Sequence, residues 1–207
     1  MSQADIGKIV QLQRKIYPEV ASGTLYAPFF IEKHLSVLPE GQFCVEIDGL
    51  IVGSATNLIV LLQPEYRDHS WYDIVGHGNS TSHNPKGDTL YADDILTHPS
   101  YRRQGIGTAL MNARKELCLK MGLRRIIGGG RLYNYCLYAN LMSPDDYAKL
   151  VVKKMLVDPV LSFDLRNEFK FIRILSNYIA DSRSLNFASF IEWTMTKPGQ
   201  IKKVLAR

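Results

Sequence analysis

The segment RRQGIG at residues 102–107 combines residue types that bind phosphate groups. Gly105 and Gly107 permit positive φ angles and let backbone N–H groups approach a ligand without an intervening Cβ. A helix that starts here would add unpaired N–H donors and the positive end of its dipole. With Arg102 and Arg103 beside them, these groups predict a cradle for the diphosphate of a nucleotide-type ligand.

The backbone is expected to dominate binding in this cradle. A backbone N–H donated to an anion contributes about 1.5–3 kcal/mol, whereas an exposed arginine ion pair contributes about 0–1 kcal/mol. Two other phosphate motifs are excluded by spacing: the chain has no GxxxxGK[ST], and Gly128-Gly129-Gly130 lacks the third glycine of GxGxxG. A glycine-rich turn that binds no ligand is the remaining alternative.

The sequence around the cradle, DILTHPSYRRQGIGTAL at residues 94–110, resembles the acetyl-CoA signature of the GCN5-related N-acetyltransferases, the GNAT family. In that family an apolar strand ending in x-H-P or x-x-P leads into R-x-x-G-x-G/A and a helix. The resemblance follows the element order over residues 38–169 and is sharp only over 93–110. Residues 158–169 are also similar to the acetyltransferase-like domain fused to some carbon-nitrogen hydrolases, although no hydrolase is present in these 207 residues.

This resemblance implies a fold, a cosubstrate and a set of binding residues. The fold is α/β of the α+β type: a mixed, mostly antiparallel central sheet, splayed between its fourth and fifth strands, with helices on both faces. The cosubstrate is acetyl-CoA, with the backbone of Ile95 and Thr97 pairing with pantetheine like an added strand. The residues implied to hold the diphosphate are Arg102, Arg103, Gln104, Gly105, Ile106, Gly107 and Thr108.

Two adjacent carboxylates could serve amine acetylation. An alkylammonium has a pKa of about 10.4, so a nearby group must take its proton. Asp93 and Asp94 follow one another on a predicted strand, so their side chains are expected on opposite faces with only one in the cleft. A backbone N–H near Ile95 or Leu96 would hold the oxyanion. The alternative for the aspartates is that one is solvated and the other caps a backbone group.

The chain departs from the family pattern at the expected general acid. Family members often have a tyrosine before the final Gly-Phe corner; here Asp164 stands in its place and Glu168 replaces the glycine. A thiolate leaves acceptably without an acid because its pKa is only about 8.5. Three tyrosines could substitute, although packing roles are expected for them: Tyr135, Tyr138 and Tyr147.

Residues 63–88 show no sustained periodicity, which is uncommon for a connection of this length unless it is functional or mobile. We expect a loop that covers the acceptor site, with Tyr66, Trp71 and Tyr72 as candidate lining residues. Histidines in this loop lie on no shared helix and lack cysteines or carboxylates at ligand spacing, so no metal is expected. They are His69, His77 and His83.

Hydrophobic spacing and turn residues predict helices followed by a hairpin and then strand–helix–strand units. The strand at 123–127 is expected to end at the three glycines that follow it. The predicted elements are helices at Ile6–Ile16, after Pro28, at 107–121, from Ser143 and from Asp158; a hairpin at 42–62 around Asp48-Gly49; and strands at Thr89–Thr97, 123–127, 169–175 and 186–195.

The composition is that of an ordinary globular protein. The 207 residues, 46% hydrophobic and 22% charged, predict one domain with a long loop and a frayed basic tail from about residue 197. The net charge of +5 favours an anionic ligand, but no nucleic-acid-binding motif is present. No segment is apolar enough for a membrane span or a secretion signal, so we expect a cytoplasmic protein. A homodimer is left open.

The predicted function is therefore transfer of an acetyl group from acetyl-CoA to a primary amine by direct attack. A non-catalytic acyl-CoA-binding or regulatory module is the alternative, because the expected tyrosine is missing. The acceptor is not specified by any pattern in the sequence.

Overall fold

The computed structural model describes residues 1–17, 27–77 and 80–195, so the predicted basic tail lies outside the described residues. Its sheet begins at the predicted hairpin, which joins β1 (Phe43–Ile47) to β2 (Leu50–Val60). Asp48 and Gly49 have φ angles of +49° and +76°, as a two-residue turn matched to strand twist requires. Every residue of β2 after the first is buried, so this strand lies inside the sheet.

Six strands form a single sheet in the order β1-β2-β3-β4-β6-β5. The remaining strands are β3 (Thr89–Thr97), β4 (Arg125–Arg131), β5 (Lys170–Leu175) and β6 (Ala188–Thr194). Among the described strands, only β3 and β4 pair in parallel, and their pairing ends at Ala92 and Gly128. The mixed, mostly antiparallel sheet is confirmed, and the diverging pair is the third and fourth strand of the described chain.

Helices cover both faces of this sheet, as predicted. They are α1 (Ile6–Ile16), α2 (Pro28–Val37), α3 (Trp71–Ile74), α4 (Ile106–Lys120), α5 (Pro144–Val152) and α6 (Leu161–Arg166). The first three pack against one face and share a core with Tyr91 and Phe190. The last three contribute to the opposite core, which contains Leu90 and Ile126. Among the described residues, no helix combines the length and apolarity needed to cross a bilayer.

The prediction that β4 ends before its three glycines is wrong. The strand continues to Arg131, because Gly128, Gly129 and Gly130 all pair with β6. A Cβ on Gly129 would lie 2.2 Å from the ring of Tyr178, and one on Gly128 would lie 2.9 Å from the Ala92 carbonyl. Glycine therefore serves close packing of neighbouring groups here, which outweighs its poor strand propensity.

A β-bulge breaks the alternation of β3 at the aspartates. The register with β2 changes from Thr56 opposite Asp94 to Asn57 opposite Ala92, which leaves Asp93 as the extra residue.

The bulge corrects the prediction that the two aspartates face opposite ways. On either side of them, Tyr91 and Leu96 belong to the core beneath α1 and α2. Asp94 contacts α1 and Asp93 contacts α2, so both lie on this one face.

Arg114 of α4 reaches the bulge from the opposite face and is almost fully buried. Its Nε donates to Asn57 Oδ1 at 2.8 Å, and its Nη2 donates to the Thr56 carbonyl at 3.1 Å. The same nitrogen also donates to the Asp94 carbonyl. The guanidinium therefore supplies donors to backbone carbonyls that the irregular strand register brings together.

We expect Arg114→Met to lower the free energy of unfolding by about 3 kcal/mol, because buried oxygens lose their donors. Arg114→Lys should recover part of this loss, since an ammonium donates to fewer fixed directions than a guanidinium. Urea unfolding of both variants tests this, with Lys120→Met, exposed on the same helix, as the control. A loss for Arg114→Met as small as that of the control would contradict this role.

Candidate active site

A cavity of about 670 Å³ opens where β3 and β4 diverge. It extends from the start of α4, past the β3 bulge, to the end of α1. Its wall includes the predicted cradle, both aspartates and the three glycines of β4. The divergence of the strands thus connects the predicted phosphate end with the predicted catalytic end.

The cradle is formed by an irregular turn and the first turn of α4. Gly105 is the N-cap with a φ of +86°, and Arg103 before it has a φ of +62°. The bond from Ala109 N–H to the Gly105 carbonyl is 2.9 Å long. The N–H groups of Ile106, Gly107 and Thr108 come before it and are the donors that a helix leaves unpaired.

Nearly all residues predicted to hold the cofactor lie in the cavity wall. They are Ile95, Thr97, Arg102, Arg103, Gly105, Ile106, Gly107 and Thr108. Gln104 does not belong to this wall; its amide donates to the Ser100 carbonyl at 3.5 Å. That these residues bind acetyl-CoA stays a prediction.

Positive φ explains only one of the two cradle glycines. Gly107 has ordinary helical geometry, and a Cβ there would lie 3.0 Å from the Phe163 ring of α6. Its role is therefore the close approach of α4 and α6. At Gly105 a Cβ would meet nothing within 4 Å, so the backbone conformation itself requires glycine.

Both carboxyl oxygens of Asp93 have polar partners. Its Oδ1 accepts from Trp71 Nε1 at 2.7 Å, and its Oδ2 accepts from Thr56 Oγ1 at 3.2 Å. His34 Nε2 lies 3.0 Å from the same Oδ2, while His34 Nδ1 donates to the Phe30 carbonyl at 2.8 Å.

Burial decides where the proton of this pair resides. It raises the pKa of Asp93 well above its usual range and lowers the pKa of His34. Both shifts favour neutral groups, so the Asp93 carboxyl donates to a neutral His34. Asp93 therefore helps to pack α2 and α3 against the bulge, through His34 and Trp71.

Asp94 is half-buried, whereas Asp93 is buried. Its Oδ1 accepts from Tyr17 Oη at 2.9 Å, and its Oδ2 accepts from Gln13 Nε2 at 3.5 Å. Burial raises the pKa of Asp94, and the two donors from α1 and its end oppose that shift. Asp94 is therefore the aspartate better placed to exchange a proton with a ligand in the cavity.

Asp164 of α6 also belongs to the cavity wall. It is 3% exposed, and its Oδ2 has no hydrogen-bond partner among the described residues. Burial raises the pKa of this carboxyl to about 8. The three candidate tyrosines lie elsewhere: Tyr135 donates to the Met142 carbonyl, Tyr147 donates to Asp158, and Tyr138 packs against Tyr147.

The predicted loop contributes one of its three aromatic candidates to the cavity. Trp71 lies in the wall, whereas Tyr66 donates to Glu192 and Tyr72 packs against His77. The other two histidines of the loop lie apart, His69 against Tyr91 and His83 beside Ile59.

Several wall residues were missed by sequence reasoning. Arg131 lies 4.8 Å from the ring centroid of Tyr17 and 5.5 Å from that of Tyr133, and it pairs with Asp181 at 3.1 Å. Tyr178 covers Gly129 and shares a 3.0 Å hydrogen bond with Tyr91. These residues come from distant parts of the chain and carry no local motif.

Comparison with known proteins identifies a family and two relatives for this chain. Residues 7–134 match the model of the Acetyltransferase (GNAT) family. The chain is 40% identical over 195 residues to the probable hydrolase YhcX of Bacillus subtilis, covering 93% of this chain and 37% of that protein. It is 39% identical over 193 residues to the uncharacterized N-acetyltransferase YkwB of the same organism, covering 93% of this chain and 85% of that protein.

The fold also matches the GNAT-like decarboxylase GphF, solved in complex with isobutyryl-CoA. The TM-score is 0.75 at 17% identity, over 94% of this chain and 96% of that one. This match shows a shared fold. The chain belongs to the GNAT acetyltransferase family, whose general activity is acyl transfer from acyl-CoA to an amine.

The raised pKa of Asp164 predicts a pH-dependent stability difference. Because the folded carboxyl binds its proton more tightly than the unfolded one, stability is lost as pH rises from the ordinary value of 3.8 to about 8. Asparagine cannot ionise, so Asp164→Asn should raise the Tm relative to wild type at pH 8 and change it little at pH 4. Asp145→Asn, at a surface pair with Lys149, is the control. An equal difference at both pH values would contradict the assignment.

Proposed function

We propose that the protein transfers an acetyl group from acetyl-CoA to the primary amine of a small or macromolecular acceptor. The observation that carries this proposal is the continuous cavity between the cradle at residues 102–108 and Asp94. A nucleotide-type cofactor held at one end would extend its acyl group towards the carboxyl at the other. Family membership supports the use of acyl-CoA, and the acetyl group and the amine are the finer parts of the proposal.

Binding starts at the cradle. The N–H groups of Ile106, Gly107 and Thr108 would donate to the diphosphate, and Arg102 and Arg103 would steer and clamp it. Parallel pairing of β3 with β4 stops at Ala92, and beyond Ala92 none of the described strands pairs with β3 on its β4 side. The pantetheine arm would occupy this edge beside Ile95 and Thr97.

Catalysis would then use direct attack by the acceptor. Asp94 accepts the proton of the ammonium, directly or through water, and the neutral amine attacks the thioester carbonyl carbon. Its raised pKa brings it closer to neutral pH, where a general base works best. The oxyanion would be held by a backbone N–H near Ile95 or Leu96.

The second candidate is an acyl-CoA-binding module without transfer. The specific observation in its favour is that Asp164 stands where the family pattern expects a tyrosine, while the three candidate substitutes, Tyr135, Tyr138 and Tyr147, lie outside the cavity wall. This candidate predicts CoA-dependent stabilisation with no turnover of any amine.

Release of free CoA thiol from acetyl-CoA, measured with a panel of primary amines, tests the proposal. We expect turnover with at least one amine and a loss of about 100-fold in kcat for Asp94→Asn, with the KM for acetyl-CoA unchanged. Asp68→Asn, at an exposed pair with Arg173, is the matched control. Tight CoA binding without thiol release for any amine would favour the binding module.

If backbone N–H groups dominate the cradle, Gly105→Ala should weaken CoA binding more than Arg103→Ala does. Gly105→Ala should weaken binding by about 10-fold, because a Cβ disfavours the left-handed N-cap backbone by about 1–2 kcal/mol, so the free turn relaxes and CoA binding must restore its shape. Arg103→Ala should weaken it by less than about 5-fold, with an effect that fades at high salt. Calorimetry with CoA at two salt concentrations measures both. A larger loss for Arg103→Ala would show that side-chain charge dominates the site.

A further inference from the structure

We propose that Asp164 of α6 donates the proton that the CoA thiolate acquires as it leaves, in the place where the family pattern expects a tyrosine. The inference rests on the proposed acetyl transfer, which it extends from the attacking side of the thioester to the leaving side. It assigns the acid of the reaction to a carboxyl group.

The position of Asp164 supports this role. Its Oδ2 lies 2.8 Å from the point that a Cβ on Gly130 would occupy. Gly130 comes two residues after the last parallel pair of β3 and β4, so Asp164 lies beside the part of β4 that has diverged from β3. The same cavity wall holds Asp94 on the other strand of the splayed pair. Both carboxyls therefore line the cavity that a thioester would occupy, Asp94 from β3 and Asp164 from α6 beside β4.

The hydrogen bonding of Asp164 also distinguishes it from a structural aspartate. Asp158, six residues earlier and equally buried, accepts from Tyr147 Oη at 3.0 Å and from the Leu161 N–H at 3.0 Å. Oδ2 of Asp164 has no partner among the described residues. A buried carboxyl without a donor is costly when ionised, so the group retains its proton and has one to give.

The electrostatic surroundings set the strength of this acid. Burial is the main cause that raises the pKa of Asp164 to about 8. Arg114 from α4 and Arg166 from α6 itself oppose the rise, whereas Asp158 reinforces it. A thiol has a pKa of about 8.5, so proton transfer between the two groups is nearly balanced, which favours general acid catalysis.

The proposed step is balanced in protons and electrons. As the new C–N bond forms and the tetrahedral intermediate collapses, the C–S bond breaks and its electron pair moves to sulfur. The Asp164 carboxyl gives its proton to that sulfur and becomes a carboxylate. The amine nitrogen loses two protons: the ammonium proton passes to Asp94 before attack, and the second passes to water as the amide forms. Exchange with water then removes the proton from Asp94 and returns one to Asp164, so that one proton is released to solvent in each turnover.

Asp164→Asn tests the step, because asparagine preserves the shape of the protonated carboxyl but cannot release a proton. We expect kcat at neutral pH to fall by about 100-fold with the KM for acetyl-CoA unchanged. The decline of wild-type kcat as pH rises through about 8 should also disappear. Asp164→Glu should restore part of the rate, and Asp145→Asn should match wild type. A normal kcat, or an unchanged alkaline decline, in Asp164→Asn would overturn the proposal.

A second measurement on the unsubstituted protein needs no acceptor. The carboxyl ¹³C resonance of Asp164 should titrate near pH 8, and the midpoint should shift when CoA binds, because thiol and carboxyl then compete for one proton. Desulfo-CoA, which lacks the thiol, should leave the midpoint where it is in the free protein. Equal titrations with both ligands would refute the contact. Absence of turnover with every amine would instead refute the acetyl transfer, while this titration still decides whether Asp164 meets the sulfur.

Discussion

The buried guanidinium of Arg114 holds β3 in the shape on which the cavity depends. Inserting Asp93 into β3 disrupts the ladder with β2 and brings carbonyl groups together that need donors. Arg114 reaches them from α4, the same helix whose first turn forms the predicted phosphate cradle. One helix therefore fixes both the cradle and the bulge, so that the distance between the two ends of the cavity is set by rigid elements rather than by loops.

Three aspartates in the cavity wall differ because their surroundings differ. Asp93 is hydrogen-bonded to Trp71 and Thr56 and shares a proton with His34, which makes it part of the packing. Asp94 has two donors from the end of α1 and remains available to the cavity. Within the described part of the chain Asp164 Oδ2 has no donor, and the pKa of about 8 keeps this carboxyl protonated near neutral pH. We propose that these identical side chains act as a scaffold, a base and an acid, because separate environments of this kind are how acid and base roles are divided in enzymes.

The glycines of β4 connect the sheet to this chemistry. Each lacks the Cβ that would otherwise collide with a group of the site, among them Tyr178 at Gly129 and Asp164 at Gly130. Sequence reasoning interpreted the three glycines as the end of a strand, because glycine is a poor strand former. In the structure they continue the strand, since pairing with β6 compensates for their weak propensity.

Local patterns in the sequence determined the hairpin at Asp48-Gly49, the bounds of β3, the bounds of α1 and α4 to within a residue, and the cradle at residues 102–107. These features depend on neighbours a few residues apart: turn residues, helical spacing and the φ freedom of Gly105. The bulge at Asp93, the Arg114 donors, and the meeting of Tyr17, Trp71, Arg131 and Asp164 around one cavity depend on contacts between residues far apart in the chain. Only the tertiary structure decided them, because burial and hydrogen-bond geometry arise when separate elements pack, and no local spacing records which elements will meet.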